Sequence, residues 1–319
     1  MTAVSTHRSS TEPRSKVTSS AQQPLGHDDD VVVPRRRPLR WVGIAVAALV
    51  VYQVVNSFIT NPNYHWDVVG GYLFDPRILS GLGTTLTLTF FGMLIALALG
   101  LLLATMHQSP SRALRATAGA YVWFFRGTPV LVQLVLWYNL AILIPEFSLG
   151  IPFGPTLFSI DTNIVITPWT AAILGLSLNE AAYLCEIIRS GIISVDRGQN
   201  EAAQALGMSR GLAFRRVVLP QALRVIVPPA SNEAIGLLKY SSVVSVIALP
   251  ELLYSGQLIY ARTYETIPVL IVVCIWYLVI VSILTWLESM LERKLGVGFA
   301  ATALTTKTGR WRRWLSPNH

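Results

Sequence analysis

Charged side chains are scarce inside the long apolar runs of this 319-residue chain, and those present include Arg126, Glu180, Glu186, Arg189, Glu233 and Lys239. An ionised group is costly in a bilayer and marks a functional position by default. A cation and an acid that converge would do one kind of chemistry well. They would hold a zwitterion, the cation on its carboxylate and the acid on its ammonium. Glu186 and Arg189 are three residues apart and can meet on one helix face. Glu233 and Lys239 are six apart, about 240° around an ideal helix, so they do not pair within it. Arg126 or Lys239 with Glu233 or Glu186 are the candidate pathway groups. The competing reading is structural: these charges pair with each other to fix helices, and Arg126 snorkels to the inner interface. No Ser-His-Asp set, HExxH motif or paired catalytic carboxylates argue for an intramembrane enzyme. Cys185 and Cys274 lie in apolar runs and the five histidines are scattered, so no metal site is expected.

The elements that position these groups follow from composition. The chain is 52% hydrophobic and only 13% charged, with a mean hydropathy of +0.51. A soluble domain carries about 25% charged residues, so the balance points to a bilayer as solvent. A crossing helix needs about 20 apolar residues. Six segments qualify, at roughly 41–59, 79–105, 119–145, 168–189, 226–250 and 267–289. The third contains Arg126 and Pro129, and its span is expected to start only at Thr128. The second, GLGTTLTLTFFGMLIALALG, has the small residues that let helix backbones approach closely, which predicts a place inside a bundle. The fifth contains Pro228-Pro229, Glu233 and Lys239. A Pro-broken segment survives at membrane depth only where it is buried or lines a cavity, so it is a candidate pathway wall.

Charge distribution sets the orientation. The net charge of +8 does not point to nucleic acid, because the basic residues cluster on one side of a six-span topology. That side holds Arg35–Arg37, Arg40, Arg112, Arg115, Arg197, Arg210, Arg215, Arg216, Arg224 and the C-terminal group from Arg293 onward. The opposite loops hold Arg77 and Arg262. Both termini are therefore expected in the cytoplasm. Residues 1–40 are a Ser-, Thr- and Pro-rich basic tail that cannot bury enough apolar surface to fold, and 291–319 form a second basic tail.

Residues 191–224 form a cytoplasmic loop that contains EAAQALGMSRGLAFRRVVLP. Its composition predicts two short helices joined across Gly207–Gly211, with Ser209 capping the second. An amphipathic helix resting on the inner leaflet would show similar basicity. The spacing is more specific. Glu201-Ala202-Ala203, Gly207, and Val217-x-Leu219-Pro220 resemble the EAA loop of permease subunits of bacterial ATP-binding-cassette importers. Arg126-Gly127-Thr128-Pro129 with Gln133, Ala182-Tyr183 with Glu186 and Arg189, and Gly198-Gln199 resemble the polar amino acid permeases. Leu238-Lys239-Tyr240-Ser241-Ser242 stands where that family usually reads Leu-Lys-Asp-Thr-Ser.

The resemblance covers roughly residues 79–290 and implies an all-α type I importer transmembrane domain, a five-helix core preceded by an extra helix at 41–59. It implies that Glu201, Ala202, Ala203, Gly207, Leu219 and Pro220 form a coupling helix docked on a cytoplasmic ATPase. In that picture Glu201 anchors by charge, the two alanines leave room for docking, Gly207 permits the turn, and Pro220 ends the helix. The implied partners are ATPase subunits that bind ATP and Mg, a second permease subunit (identical or related), and an extracytoplasmic amino acid binding protein. A P-loop needs glycine before its lysine. Lys16, Lys239, Lys294 and Lys307 follow Ser, Leu, Arg and Thr, so ATP hydrolysis is expected from a partner and no cofactor in this chain. The reading is thus a plasma-membrane permease for polar amino acids. The alternatives are a permease for another small amino-acid-like solute, an ion-driven carrier, or a membrane anchor for an ATPase.

Overall fold

The computed structural model describes residues 38–150 and 156–295. The expected tails at 1–40 and 291–319 therefore lie almost wholly outside the described residues. The chain divides into two units at Thr60/Asn61. The first contributes one helix, α1 (Pro38–Thr60), which matches the segment predicted at 41–59 and has none of its apolar window buried.

The second unit opens with α2 (Trp66–Tyr72) and the long α3 (Pro76–His107). Pro76 stands at the first turn of α3, and Asp75 caps it by accepting from the Arg77 amide at 2.8 Å. The Arg77 guanidinium also bonds the same carboxyl and holds it below the usual carboxylate range. Next come α4 (Arg112–Gly127) and α5 (Val130–Tyr138), bent by 101° at the break between them. The predicted third span beginning at Thr128 is overturned here. At about 1.5 Å per residue the nine residues of α5 reach about 14 Å, too short to cross alone. Thr128 is forced into extended backbone (φ −118°, ψ 142°) because it precedes proline.

The short α6 (Leu140–Leu143) leads into a hairpin that an all-helical reading did not contain. Its strands β1 (Glu146–Gly150) and β2 (Thr156–Asp161) pair antiparallel, with Glu146 opposite Asp161 and Phe147 opposite Ile160. After α7 (Thr162–Val165) comes α8 (Pro168–Ile193). In α8, 61% of the apolar window is buried, against 33% for α3, so α8 is the central helix. The loop helices α9 (Arg197–Ala205) and α10 (Arg210–Ala213) follow, then a π turn over Phe214–Val218 that runs into α11 (Leu219–Tyr240). A 3-10 segment (Ser241–Ile247), α12 (Leu252–Thr263) and α13 (Thr266–Leu295) complete the bundle. Among the described residues four helices are long and apolar enough to cross a membrane, or up to six spans if each bent pair counts as one.

The fifth span corrects the sequence reading. Pro228 and Pro229 lie within a helix that continues past them to Tyr240, and the chain turns only at Ala248, which has a positive φ of 58°. Packing holds the proline pair in line, since Ala222, Ile226, Ile235, Leu237 and Leu238 on the same helix are buried. The stripe Gly92, Ala96, Gly100 and Ala104 is buried along α3. Its spacing of four residues makes a flat face, and α3 makes its most extensive contact with α8 there.

Glu251 is fully buried and joins three helices. Its carboxylate accepts from the amides of Leu253 and Tyr254 at 2.9 and 2.7 Å, and from the Tyr277 hydroxyl at 3.1 Å. Thr85 on α3 donates to it at 3.5 Å and accepts from the Leu252 amide at 3.1 Å. Glu251→Leu would strand these donors in an apolar interior. It is expected to lower stability by about 3 kcal/mol or more, with Glu251→Gln intermediate, measured by thermal unfolding in detergent.

Candidate functional site: a polar cavity and a helical loop

The break between α4 and α5 opens a cavity of about 510 Å³ against α8 and α11. Arg126 and Thr128 line it from the break, Glu180 and Tyr183 from α8, and Glu233 and Tyr240 from α11. Arg126 is exposed at the mouth of the cavity. Its guanidinium carbon lies 5.2 Å from the centre of the Tyr183 ring, a cation–π geometry that fixes it at the cavity wall.

Of the four predicted pathway groups, the fold brings Arg126 and Glu233 to this cavity. Glu186 and Arg189 do meet, at 2.6 Å, as an ion pair on α8 away from the cavity lining. Lys239 is exposed and does not line the cavity, while its neighbour Tyr240 does.

Glu180 is the residue the sequence reading passed over. It is 3% exposed, and its Oε1 has no hydrogen-bond partner. The available signal was spacing: Asn179, Glu180 and Tyr183 fall on adjacent positions of one helix face. Without knowing which face of α8 met the break, Glu186 was an equal candidate. The cavity thus holds one fixed cation and two carboxylates, a set that can take a zwitterion and leave one acid over.

From the cavity α8 runs to the helical loop, where Asp196 caps α9 by accepting from the Gly198 amide at 2.6 Å. Glu201 and Ala202 are exposed on α9, and Glu201 lines an open groove with Asp196, Arg197, Gln204, Arg210 and Phe214. Ala203 is turned inward and buried, so its small side chain serves packing inside the loop and not the outer surface. Gly207 has φ +77° and ends α9. Its amide bonds the Gln204 carbonyl at 2.9 Å and the Met208 amide bonds the Ala203 carbonyl at 3.1 Å, the paired closure that left-handed glycine permits at a helix end.

Two details of the loop differ from expectation. Ser209 occupies the cap position of α10 but its side chain makes no cap bond. Pro220 does not end a helix; it stands in the first turn of α11. With no N–H of its own and a ring that crowds the carbonyl four residues back, it favours the wide turn before it, where the Leu219 amide reaches Phe214. Leu219 is half-buried and Pro220 exposed. Among the described residues no group of three metal-ligating side chains occurs, and both cysteines are free thiols.

A helical bundle with a broken span at a polar cavity and a helical loop at one end is an arrangement suited to passing a solute. Residues 96–297 match the model of the family described as binding-protein-dependent transport system inner membrane component, and the chain belongs to that family. It is 40% identical over 270 residues to the arginine transport system permease protein ArgU of Corynebacterium glutamicum, covering 84% of each chain. It is 36% identical to the L-cystine transport system permease protein TcyB of Bacillus subtilis, covering 72% of this chain and 91% of the relative. A solved amino acid ABC transporter with histidines superimposes with a TM-score of 0.60 at 37% identity, covering 69% of this chain and 95% of that one. The chain is a multi-pass inner-membrane protein and a permease subunit of an ABC amino acid importer.

Proposed function

We propose that the cavity between the α4–α5 break, α8 and α11 is the transient substrate site, and that it favours an amino acid with a cationic side chain. The observation that carries this is the buried, unpartnered Glu180 oxygen beside Glu233 and Arg126. Arg126 takes the substrate α-carboxylate, and the two carboxylates take the α-ammonium and the side-chain cation. The guanidinium and the two carboxyl groups match in number the carboxylate and the two cationic groups of such a ligand. The permease for arginine among the relatives supports this reading, although the cystine permease shows that the fold serves other side chains.

The groove at Glu201 and Arg210 is the docking face for a cytoplasmic ATPase, which binds ATP and Mg. A second permease subunit completes the pathway, and an extracytoplasmic binding protein delivers the substrate. Both termini face the cytoplasm in this reading, which the distribution of Lys and Arg supports.

The test is uptake into proteoliposomes that carry the chain with its copurifying ATPase and binding protein. L-arginine and L-lysine should compete for labelled arginine better than L-glutamine does. Glu180→Gln and Glu233→Gln should each reduce arginine uptake about tenfold or more, the scale of one charged hydrogen bond. Equal competition by glutamine, with both variants fully active, would overturn the assignment. Failure of any ATPase to copurify would overturn the coupling assignment independently.

A further inference from the structure

The RGTP segment and Gln133 share a structural task that the substrate site does not use up. Pro129 has no N–H, so the Phe125 carbonyl four residues back has no helix partner, and Thr128 is extended, which frees the Phe124 carbonyl as well. Unpaired carbonyls at membrane depth must be satisfied by side chains. Thr128 Oγ1 donates to Phe124 at 2.9 Å. Phe125 receives two amides from two different helices: Gln133 Nε2 at 3.0 Å and Asn179 Nδ2 at 2.8 Å. Gln133, 3% exposed, also donates to the Thr128 carbonyl at 3.1 Å and to its hydroxyl at 2.7 Å. Asn179 closes the set by donating to Gln133 Oε1 at 3.4 Å.

We propose that Gln133 and Asn179 are positioning residues, an amide clamp that joins the α4–α5 break to α8 and carries movement of the cytoplasmic loop to the cavity wall. The residues clamped, Phe125 to Gln133, include Arg126, Gly127, Thr128, Pro129 and Val130, which line the cavity. The helix they are clamped to continues 14 residues from Asn179 to Ile193, about 21 Å as a rigid rod, and then reaches the α9 cap. A displacement of the loop therefore reaches the break through these side-chain bonds together with the apolar cluster that holds Val122 and Phe125 with Ala181, Ala182 and Cys185. Tyr121 makes a second α4–α8 bond, to the Leu178 carbonyl at 2.8 Å, but outside the break.

The clamp rests on the transport reading above, and the experiment separates the two. The reconstituted importer is assayed for L-arginine transported per ATP hydrolysed. Gln133→Leu and Asn179→Leu should each lower that ratio about tenfold with complex yield within about twofold; because Asn179 also lines the cavity, basal hydrolysis within about twofold of wild type is required only of Gln133→Leu. Tyr121→Phe should leave the ratio unchanged. If Gln133→Leu yields no complex, Asn179→Leu carries the test, because Gln133 still covers Phe125. Wild-type coupling ratios in both leucine variants, or an equal loss in Tyr121→Phe, would overturn the clamp alone. No ATP-driven uptake by the wild type would overturn the transport reading and the clamp with it.

Discussion

Gly100→Leu is expected to abolish the folded bundle. A Cβ at Gly100 would lie 2.9 Å from the Leu184 Cβ, and 3.2 Å from both the Ala181 carbonyl and the Cys185 amide nitrogen. Two of these three atoms are backbone and cannot rotate away. Even Gly100→Ala should cost about 1–3 kcal/mol through overpacking. Leucine adds three further carbons with no void to receive them and separates α3 from α8 along their main contact. Membrane yield and a monodisperse peak in detergent size exclusion should both be lost. Gly83→Leu is the control: nothing lies within 4 Å of a Cβ placed there, so the same substitution should leave both measurements near wild type.

Gly207→Val is expected to spare the bundle and disable coupling. Gly207 holds φ +77°, where a β-branched side chain is strained by about 1–2 kcal/mol. Its space is open, so the penalty comes from the backbone and not from a clash. Valine would unwind the closure in which Gly207 and Met208 satisfy the last carbonyls of α9, and the groove at Glu201 would lose its shape. Substrate uptake and ATPase copurification should fall by about tenfold, the equivalent of about 1.4 kcal/mol. Thermal unfolding of the bundle should stay close to wild type. Gly207→Asn should keep most function, because Asn adopts the left-handed region at lower cost. A valine variant that still copurifies with the ATPase and transports normally would remove Gly207 from the lever.

These predictions draw on two kinds of information. Chain chemistry alone set the solvent, the approximate spans and the family. The apolar runs needed a bilayer as solvent, and the order Glu201-Ala202-Ala203, Gly207, Leu219-Pro220 was specific enough to point to the family. Small residues on α3 foretold close packing because glycine and alanine have the same consequence in any bundle. Tertiary structure decided what depended on rotation and neighbours. A helix sequence does not state which of Glu180 and Glu186 faces a cavity, since that depends on where the α4–α5 break lands. Nor does it say that Pro228-Pro229 stays in line, while Pro129 produces a 101° bend. The difference lies in the partners. Side chains on two helices converge to satisfy the carbonyls freed at Pro129, whereas packing on either side of the proline pair holds α11 straight.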